Sequence, residues 1–418
     1  MNIELIDKIT DMKILNDPIY GFITIRYPII LKLIDHPYFQ RLNRIKQLGL
    51  SYLVYPGAHH TRFHHAIGAM HLMQNAIEVL KVKKVEISEE EELGALMAIL
   101  LHDIGHGPFS HALEHTLVKG VSHEDLSILL MKKLNEEFDG KLDLSIDIFT
   151  NKYKKRFLHQ LVSSQLDMDR LDYLKRDSFY SGVSEGVVSS DRIINMLNVH
   201  EDGLVIEEKG IYSIEKFIVA RRLMYWQVYL HKTVLAAENL LVHILIRAKY
   251  LAGKGVELHA SPVLRKFLYN NYSKTDFDTN DVLESFTHLD DSDLYSAIKA
   301  WGTHDDFTLS KISKSLINRD IPKIIIQKEP FTESKINELR NLVKETYSIT
   351  DNEVSHFVFS NAITNNAYNA MEDVININYK NGEIVNITEA SDNFNIQSLT
   401  EPVKKYYVCF PKEFRGKW

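Results

Sequence analysis

His102, Asp103, His106 and His111 fall within ten residues of one another, in the stretch from Leu100 to His111. An almost unbroken apolar run from Leu93 to Leu101 precedes them, and Gly105, Gly107 and Pro108 interrupt the chain among them. His102 and Asp103 therefore leave a buried helix for a loop. Burying an imidazole beside a carboxylate is costly unless something compensates both. A divalent metal does so, accepting the imidazole lone pair and neutralising the carboxylate. The alternative is a polar corner of the core that holds no ion.

Two other stretches supply candidate partners. His59, His60, His64 and His65 crowd the entry to a helix, and one or two of them are expected to do chemistry. His65 is the favourite, because Gly68 and Ala69 beside it permit close helix approach. Further on, Asp169, Tyr173 and Asp177 recur at i, i+4 and i+8, so an acid, a phenol and an acid share one helical face. A solvated, salt-bridged helix explains that pattern equally well. If His65, His102, Asp103 and Asp169 converge, two imidazoles and two carboxylates form a site suited to Mn, Mg, Fe, Ni, Co or Zn. Such a site polarises a phosphoryl oxygen and lowers the pKa of a water, which is hydrolase chemistry. His106, His111 and His123 would then bind phosphate or protonate a leaving oxygen, with Glu114 orienting His111 from i+3. Arg62, Arg170 and Arg221 would balance a polyphosphate, and Tyr229, His231 and Lys232 follow Arg221 within eleven residues.

These residues need a scaffold, and 418 residues at 45% hydrophobic content supply a sizeable core. A net charge of -7 argues against a protein that coats nucleic acid, so any anionic substrate is handled by a local basic pocket. The single cysteine, Cys409, excludes an internal disulfide framework and a cysteine-rich zinc site. The acidic N-terminus lacks a signal-peptide pattern and no apolar run approaches the roughly 20 residues of a membrane span, so a cytoplasmic protein without a membrane partner is expected. A hairpin is expected over residues 13–27 and helices over 28–49, 62–82, 87–101 with Ser88 as N-cap, from Ser122, 157–180 and 211–251. Beyond residue 255 the pattern predicts short helices over 261–272 and 278–301, a strand at 322–327 and a helix over 333–346. A two-residue hairpin at Asn381-Gly382 and a strand over 406–410 follow. The fold class is mostly α, with residues 1–255 as the catalytic body and 256–418 as a smaller α+β C-terminal lobe packed on it.

The separated histidine, the His102-Asp103 doublet and the later aspartate are the signature of HD-domain phosphohydrolases. Asn16 to Gly21, Phe39 to Leu42, Ile45 to Gly49, Tyr55 to Ala58, Arg62-Phe63, His102 to His111 and Asp169 to Asp177 resemble more narrowly the HD-domain deoxynucleoside triphosphate triphosphohydrolases. That family includes bacterial dNTPases and the vertebrate SAM-and-HD-domain protein. The resemblance is strong over residues 12–235 and faint after 260. It implies His65, His102, Asp103 and Asp169 as metal ligands. His111 helped by Glu114, and His123, with His106 beside them, would serve the triphosphate and proton transfer at the bond broken. Arg62, Arg170 and Arg221 would hold phosphates, Arg170 standing where the family often has Lys. Gln47, Leu48, Tyr173, Asp177 and Tyr229 would surround the deoxyribose, Tyr229 leaving little room for a 2′-hydroxyl. The implied reaction attacks the α-phosphorus of a dNTP and yields deoxynucleoside and inorganic triphosphate, in a homotetramer built as a dimer of dimers. Regulated relatives place an Arg where this chain has Asn43, which puts in doubt an activating nucleotide at the subunit interface, although Lys13, Asn16, Asp35 and Gln40 stand at positions that line it. His64 replaces a Glu of some relatives and touches no ligand role. Another nucleotide, a nucleic-acid end, or a non-catalytic nucleotide sensor are the alternatives.

Overall fold

The computed structural model describes residues 13–417 apart from 115, 119, 370, 372, 393–395, 397 and 398, and apart from the side chains of residues 110, 111 and 280. The first twelve residues and the His111 side chain thus lie outside what is described. The molecule is mostly helical with small mixed sheets. Strands β1 (Lys13–Asp17) and β2 (Gly21–Ile25) form the expected hairpin, followed by helices α1 (Pro28–Asp35) and α2 (Pro37–Gln40). The helix expected to reach residue 49 stops early: a 3₁₀ turn, Arg41–Arg44, leads to an extended Ile45, and Lys46 bridges Thr61. Gln47 and Leu48 consequently lie off any α-helix.

The body is built around α3 (Arg62–Val82) and α4 (Glu89–Leu101). Ser88 caps α4 through a reciprocal box with Glu91, four glutamates fill its first turn, and Leu93 to Leu101 are all buried. A helix apolar all round belongs at the centre of a bundle. After α5 (Ser110–Glu114), Ser122 caps α6 (His123–Glu137) in the same manner. Helices α7 (Asp143–Phe149), α8 (Arg156–Val162), α9 (Met168–Ser181) and α10 (Ser190–Met196) follow, with α9 packed along α3.

The single helix expected over 157–180 is therefore two. The Asp167 carboxylate accepts from the Ser164 and Arg170 amides, both at 2.7 Å, so short polar side chains capture the backbone, end α8 and cap α9. This break puts Asp169 in a first helical turn. The helix expected over 211–251 is also divided, into α11 (Ile211–Met224) and α12 (Lys232–Gly253). Between them Tyr225–Tyr229 form a π turn closed by Leu230 N donating to Tyr225 O, and His231 caps α12 by accepting from Thr233 N. Bulky aromatic and β-branched residues at 225–229 weaken the α-helical ladder there.

Strands β3 (Leu197–His200) and β4 (Gly203–Glu207) went unanticipated. Later come α13 (Pro262–Tyr269), α14 (Asn280–Thr287), α15 (Asp291–Trp301), α16 (Phe307–Ile317), β5 (Lys323–Gln327), α17 (Glu333–Tyr347) and α18 (Asp351–Val354), of which α16 was also missed. Strand β6 (Phe359–Asn365), again unforeseen, and β9 (Val403–Phe410) make an antiparallel sheet in the order β5-β9-β6. Strand β7 (Asn376–Asn378) pairs in parallel with β4, Ile377 opposite Ile206, and so extends the β3-β4 ribbon. Its hairpin with β8 (Ile384–Asn386) has a three-residue loop rather than two, because Tyr379 N still donates to Glu383 O and Gly382 takes φ +87°.

One glycine decides how the site loop is seated. Gly105 N donates to Ser127 Oγ at 2.9 Å, and that hydroxyl donates to His102 O at 2.7 Å. A Cβ at Gly105 would lie 2.2 Å from His123 O and 2.3 Å from Ser127 N, backbone atoms of α6 that cannot step aside. Gly105→Ala is expected to cost about 2 kcal/mol or more, read as a lower urea midpoint at unchanged slope.

Candidate metal centre

His65 sits in the first turn of α3, His102 at the C-terminal end of α4 and Asp169 in the first turn of α9. Their ligand atoms lie within 4.8 Å of one another. Asp169 Oδ1 is 3.0 Å from His65 Nε2 and 3.5 Å from His102 Nε2, and the two Nε2 atoms are 3.4 Å apart. Both rings present Nε2 because Nδ1 is engaged behind them. His102 Nδ1 donates to Ile99 O at 2.6 Å, and His65 Nδ1 donates to Asp172 Oδ2 at 2.8 Å.

Asp172 is a functional residue that sequence reasoning missed. It is fully buried, as are His65 and Arg176, and Arg176 donates to it through Nε at 2.9 Å and Nη2 at 3.0 Å. Arg176 Nη1 continues to Asp17 Oδ2 at 2.8 Å. Burial works against the Asp172 charge, yet Arg176 and His65 hold its carboxyl down at about 2. The only signal was the i, i+4 spacing of Asp172 and Arg176, which is equally that of a surface ion pair. Gly68 makes the approach possible: a Cβ there would meet Arg176 Nη2 and Asp172 Oδ1, each at 2.1 Å. Burial also opposes charge on His65, but its hydrogen bonds with Asp169 and Asp172 lift its pKa to about 10.

Asp103 stands at the rim of this group rather than inside it. Its Oδ1 is 3.4 Å from His102 Nε2 and 3.3 Å from His106 Nε2, while Oδ2 accepts from Arg62 Nη1 at 2.6 Å. Despite its burial, His102, His106 and Arg62 hold its carboxyl well below the usual range. His106 is buried and stacked on His123, with ring centroids 3.9 Å apart and planes 16° from parallel. Burial and Arg62 push it down to about 3. His123 Nδ1 meets Glu114 Oε1 at 2.9 Å.

An aromatic wall leads away from the trio. Tyr173 lies 6.5 Å from His65 and 6.1 Å from Tyr229, ring to ring, and Tyr225 lies 5.2 Å from Tyr229 with Arg221 over its face at 5.8 Å. Tyr229 donates to Asp177 Oδ2 at 2.8 Å, and Asp177 Oδ1 meets His60 Nε2 at 2.7 Å. His60 stacks on Tyr180, and its carbonyl accepts from Gln47 N at 3.0 Å, with Leu48 buried next in sequence. The histidine that binds Asp177 was hidden among its neighbours in the crowded 59–65 run. Arg170 Nε donates to Ser164 O at 2.6 Å and reaches Asp167, and Arg221 Nη1 donates to Ala367 O at 3.0 Å.

Residues 62–177 match the HD domain, and residues 188–250 match the HD-associated region. A solved phosphohydrolase from Bacteroides thetaiotaomicron superposes with a TM-score of 0.93 at 54% identity, over 96% of this chain and 100% of that one. A Bacillus subtilis protein, YwfO, is 35% identical over 81% of this chain and 77% of its own length. The chain belongs to the HD-domain phosphohydrolase family. A Dictyostelium discoideum deoxynucleoside triphosphate triphosphohydrolase, a SAMHD1 homologue, is 34% identical over 53% of this chain, which spans 46% of that protein. HD domains are metal-dependent, and the His65, His102 and Asp169 donors of this one fit a divalent cation.

Two outcomes follow for metal loading. Asp172→Asn keeps the shape but removes the charge behind His65, and is expected to weaken Mn²⁺ binding by about 10–100-fold in calorimetry. Because His65 holds its proton up to about pH 10 in the ion-free chain, a cation must displace that proton. The His102 pKa is raised as well, so apparent affinity should rise toward alkaline pH by about tenfold or more per unit, with at least one proton released, read from titrations in buffers of different ionisation enthalpy.

Proposed function

We propose that this protein hydrolyses deoxynucleoside triphosphates at the α-phosphorus, giving deoxynucleoside and inorganic triphosphate. The observation that supports the reading is that three residues of the expected substrate set leave buried side-chain atoms without partners, Gln47 Oε1, Arg62 Nε and Arg221 Nε, and that Arg62 also binds Asp103 beside the His65–His102–Asp169 trio. Buried donors and acceptors are normally satisfied, so these suit a polar, anionic ligand. The Dictyostelium relative's name supplies the substrate class.

His65, His102 and Asp169, with Asp103 beside them, would hold a divalent ion, which would supply Lewis-acid charge to a phosphoryl oxygen. Arg62, Arg170 and Arg221 hold the phosphate chain. His111, helped by Glu114, and His123, with His106 against its ring, contact the phosphates and move the proton at the bond broken. Gln47, Leu48, Tyr173, Asp177 and Tyr229 enclose the deoxyribose. Asp177 is fixed between Tyr229 and His60, which supports a reading in which the Tyr229 ring packs against the sugar edge and leaves little room for a 2′-hydroxyl. Asn43 donates to Gln40 Oε1 at 3.2 Å and carries no charge, so an activating nucleotide would find no cation there. A cytoplasmic dimer of dimers completes the proposal.

The test is anion-exchange analysis of products from each dNTP and rNTP, singly and mixed, with Mn²⁺ or Mg²⁺. Deoxynucleoside and triphosphate should appear with intact protein and vanish with Asp169→Ala, and Tyr229→Ala should narrow the preference for dNTP over rNTP by about tenfold or more. Failure of every dNTP under every metal would remove the assignment.

A further inference from the structure

His60 stands in the crowded run of His59, His60, His64 and His65, on the loop before α3. Its side chain is fully buried and stacked on Tyr180, with ring centroids 4.4 Å apart and planes 17° from parallel. Nε2 meets Asp177 Oδ1 at 2.7 Å, whereas Nδ1 is buried and has no partner among the described residues. A buried N–H without an acceptor is costly, so the proton belongs on Nε2 and the ring donates to the carboxylate. Asp177, itself buried, accepts from the Tyr229 hydroxyl at 2.8 Å through Oδ2. The Tyr229 proton is thereby committed, and Asp177 is held on both oxygens. The His60 backbone reaches the other way: its carbonyl accepts from Gln47 N at 3.0 Å, beside the bridge of Lys46 with Thr61. The loop is also pressed onto α9, since a Cβ at Gly57 would lie 2.6 Å from Tyr180 O. One residue therefore joins the segment that carries Gln47, helix α9 with Asp177 and, through Asp177, the π turn with Tyr229.

Resting on the reading above, in which Gln47, Asp177 and Tyr229 enclose the deoxyribose, we infer that His60 is the positioning residue that sets the preference for a 2′-deoxy sugar. It touches no substrate and acts through Asp177. While His60 donates, Asp177 cannot turn toward a new donor, and the Tyr229 hydroxyl stays aimed at it. A 2′-hydroxyl arriving at the Tyr229 ring then loses water and meets no partner in exchange. Without the His60 proton, Asp177 Oδ1 becomes an unpaired acceptor, free to take up a ribose hydroxyl. The deoxy preference is built from polar groups that are already satisfied, and not from the bulk of the Tyr229 ring alone.

The full chain carrying Asp169→Ala, in which nucleotide persists, is dialysed to equilibrium with Mn²⁺ against each dNTP and its ribose counterpart. Adding His60→Ala should lower the ratio of ribo to deoxy dissociation constants by about tenfold or more. His60→Gln, whose amide still donates to Asp177, should keep the ratio within about threefold of its starting value. Tyr229→Phe should lower the ratio as well, and His60→Ala added to it should lower it further by less than about threefold, because both act through one carboxylate. If His60→Ala does not fold by circular dichroism, His60→Asn, too short to reach Asp177, takes its place with the same expected shift. A merely structural role would weaken both sugars alike and leave the ratio where it was. A ratio unmoved in the folded Ala or Asn variant, a Gln variant no better than Ala, or no nucleotide bound at up to about 1 mM would overturn the proposal. Absence of dNTP hydrolysis by the unaltered protein removes the reading above while the binding ratio still decides the role of His60, and hydrolysis with an unmoved ratio removes that role alone.

Discussion

A carboxylate without access to water organises this HD domain. Asp172 receives Arg176 on both oxygens and His65 on one, and Arg176 passes on to Asp17 at the end of the first strand. Removing such charges from water costs several kcal/mol per ion, which only good geometry and full hydrogen bonding offset. Asp17 is itself satisfied by the amides of Ile19 and Tyr20, so the network is closed at that end. Three separate pieces of chain, the first hairpin, α3 and α9, are held in register by four side chains. The histidine that faces the metal position is the last link, and its orientation is inherited from all the others.

The other side of the centre is built on backbone rather than charge. His102 is oriented by a carbonyl of its own helix, and the loop after it is seated on α6 through Ser127 and Gly105. Residues 93–101 of α4 are buried and closely packed on every side, Gly94 against Leu144 and Ile148, so α4 delivers its terminal histidine with little freedom. Arg62, at the start of α3, then draws Asp103 away from the trio and toward the second imidazole pair. The two halves of the pocket thus differ in what makes them rigid: an ion network on one, helix packing on the other.

Much of this was legible in the sequence because the signals were local. Ser88 and Ser122 with their acidic third positions mark helix starts within a residue, and the apolar run into His102 announced a buried helix ending in chemistry. The breaks at Ser163–Asp167 and Tyr225–His231 were not legible, since the apolar spacing continues across both and only side-chain capture of the backbone reveals them. Asp172 stayed hidden for a different reason: its charged neighbours read as a solvated face, and burial is decided by what α3 places opposite. Strands β3, β4 and β6 are short and depend on distant partners. The cluster of His65, His102 and Asp169 was expected, whereas the turning of Asp103 toward Arg62 and His106 depends on distances that no spacing rule contains.

The parallel pairing of β4 with β7 joins residues 205–207 to residues 376–378. Close by, Gln165 holds the backbone of Asn369 and Arg221 holds Ala367 O. A chain emerging from the ribosome has made every helix of the HD domain long before those partners exist. Loop closure over such a separation comes late, after local contacts have formed. Arg221 therefore acquires its carbonyl partner only once the C-terminal segment docks, and the Arg221 end of the aromatic wall is finished last. The shape of the aromatic wall is in this way tied to the docking of a segment about 150 residues further along the chain.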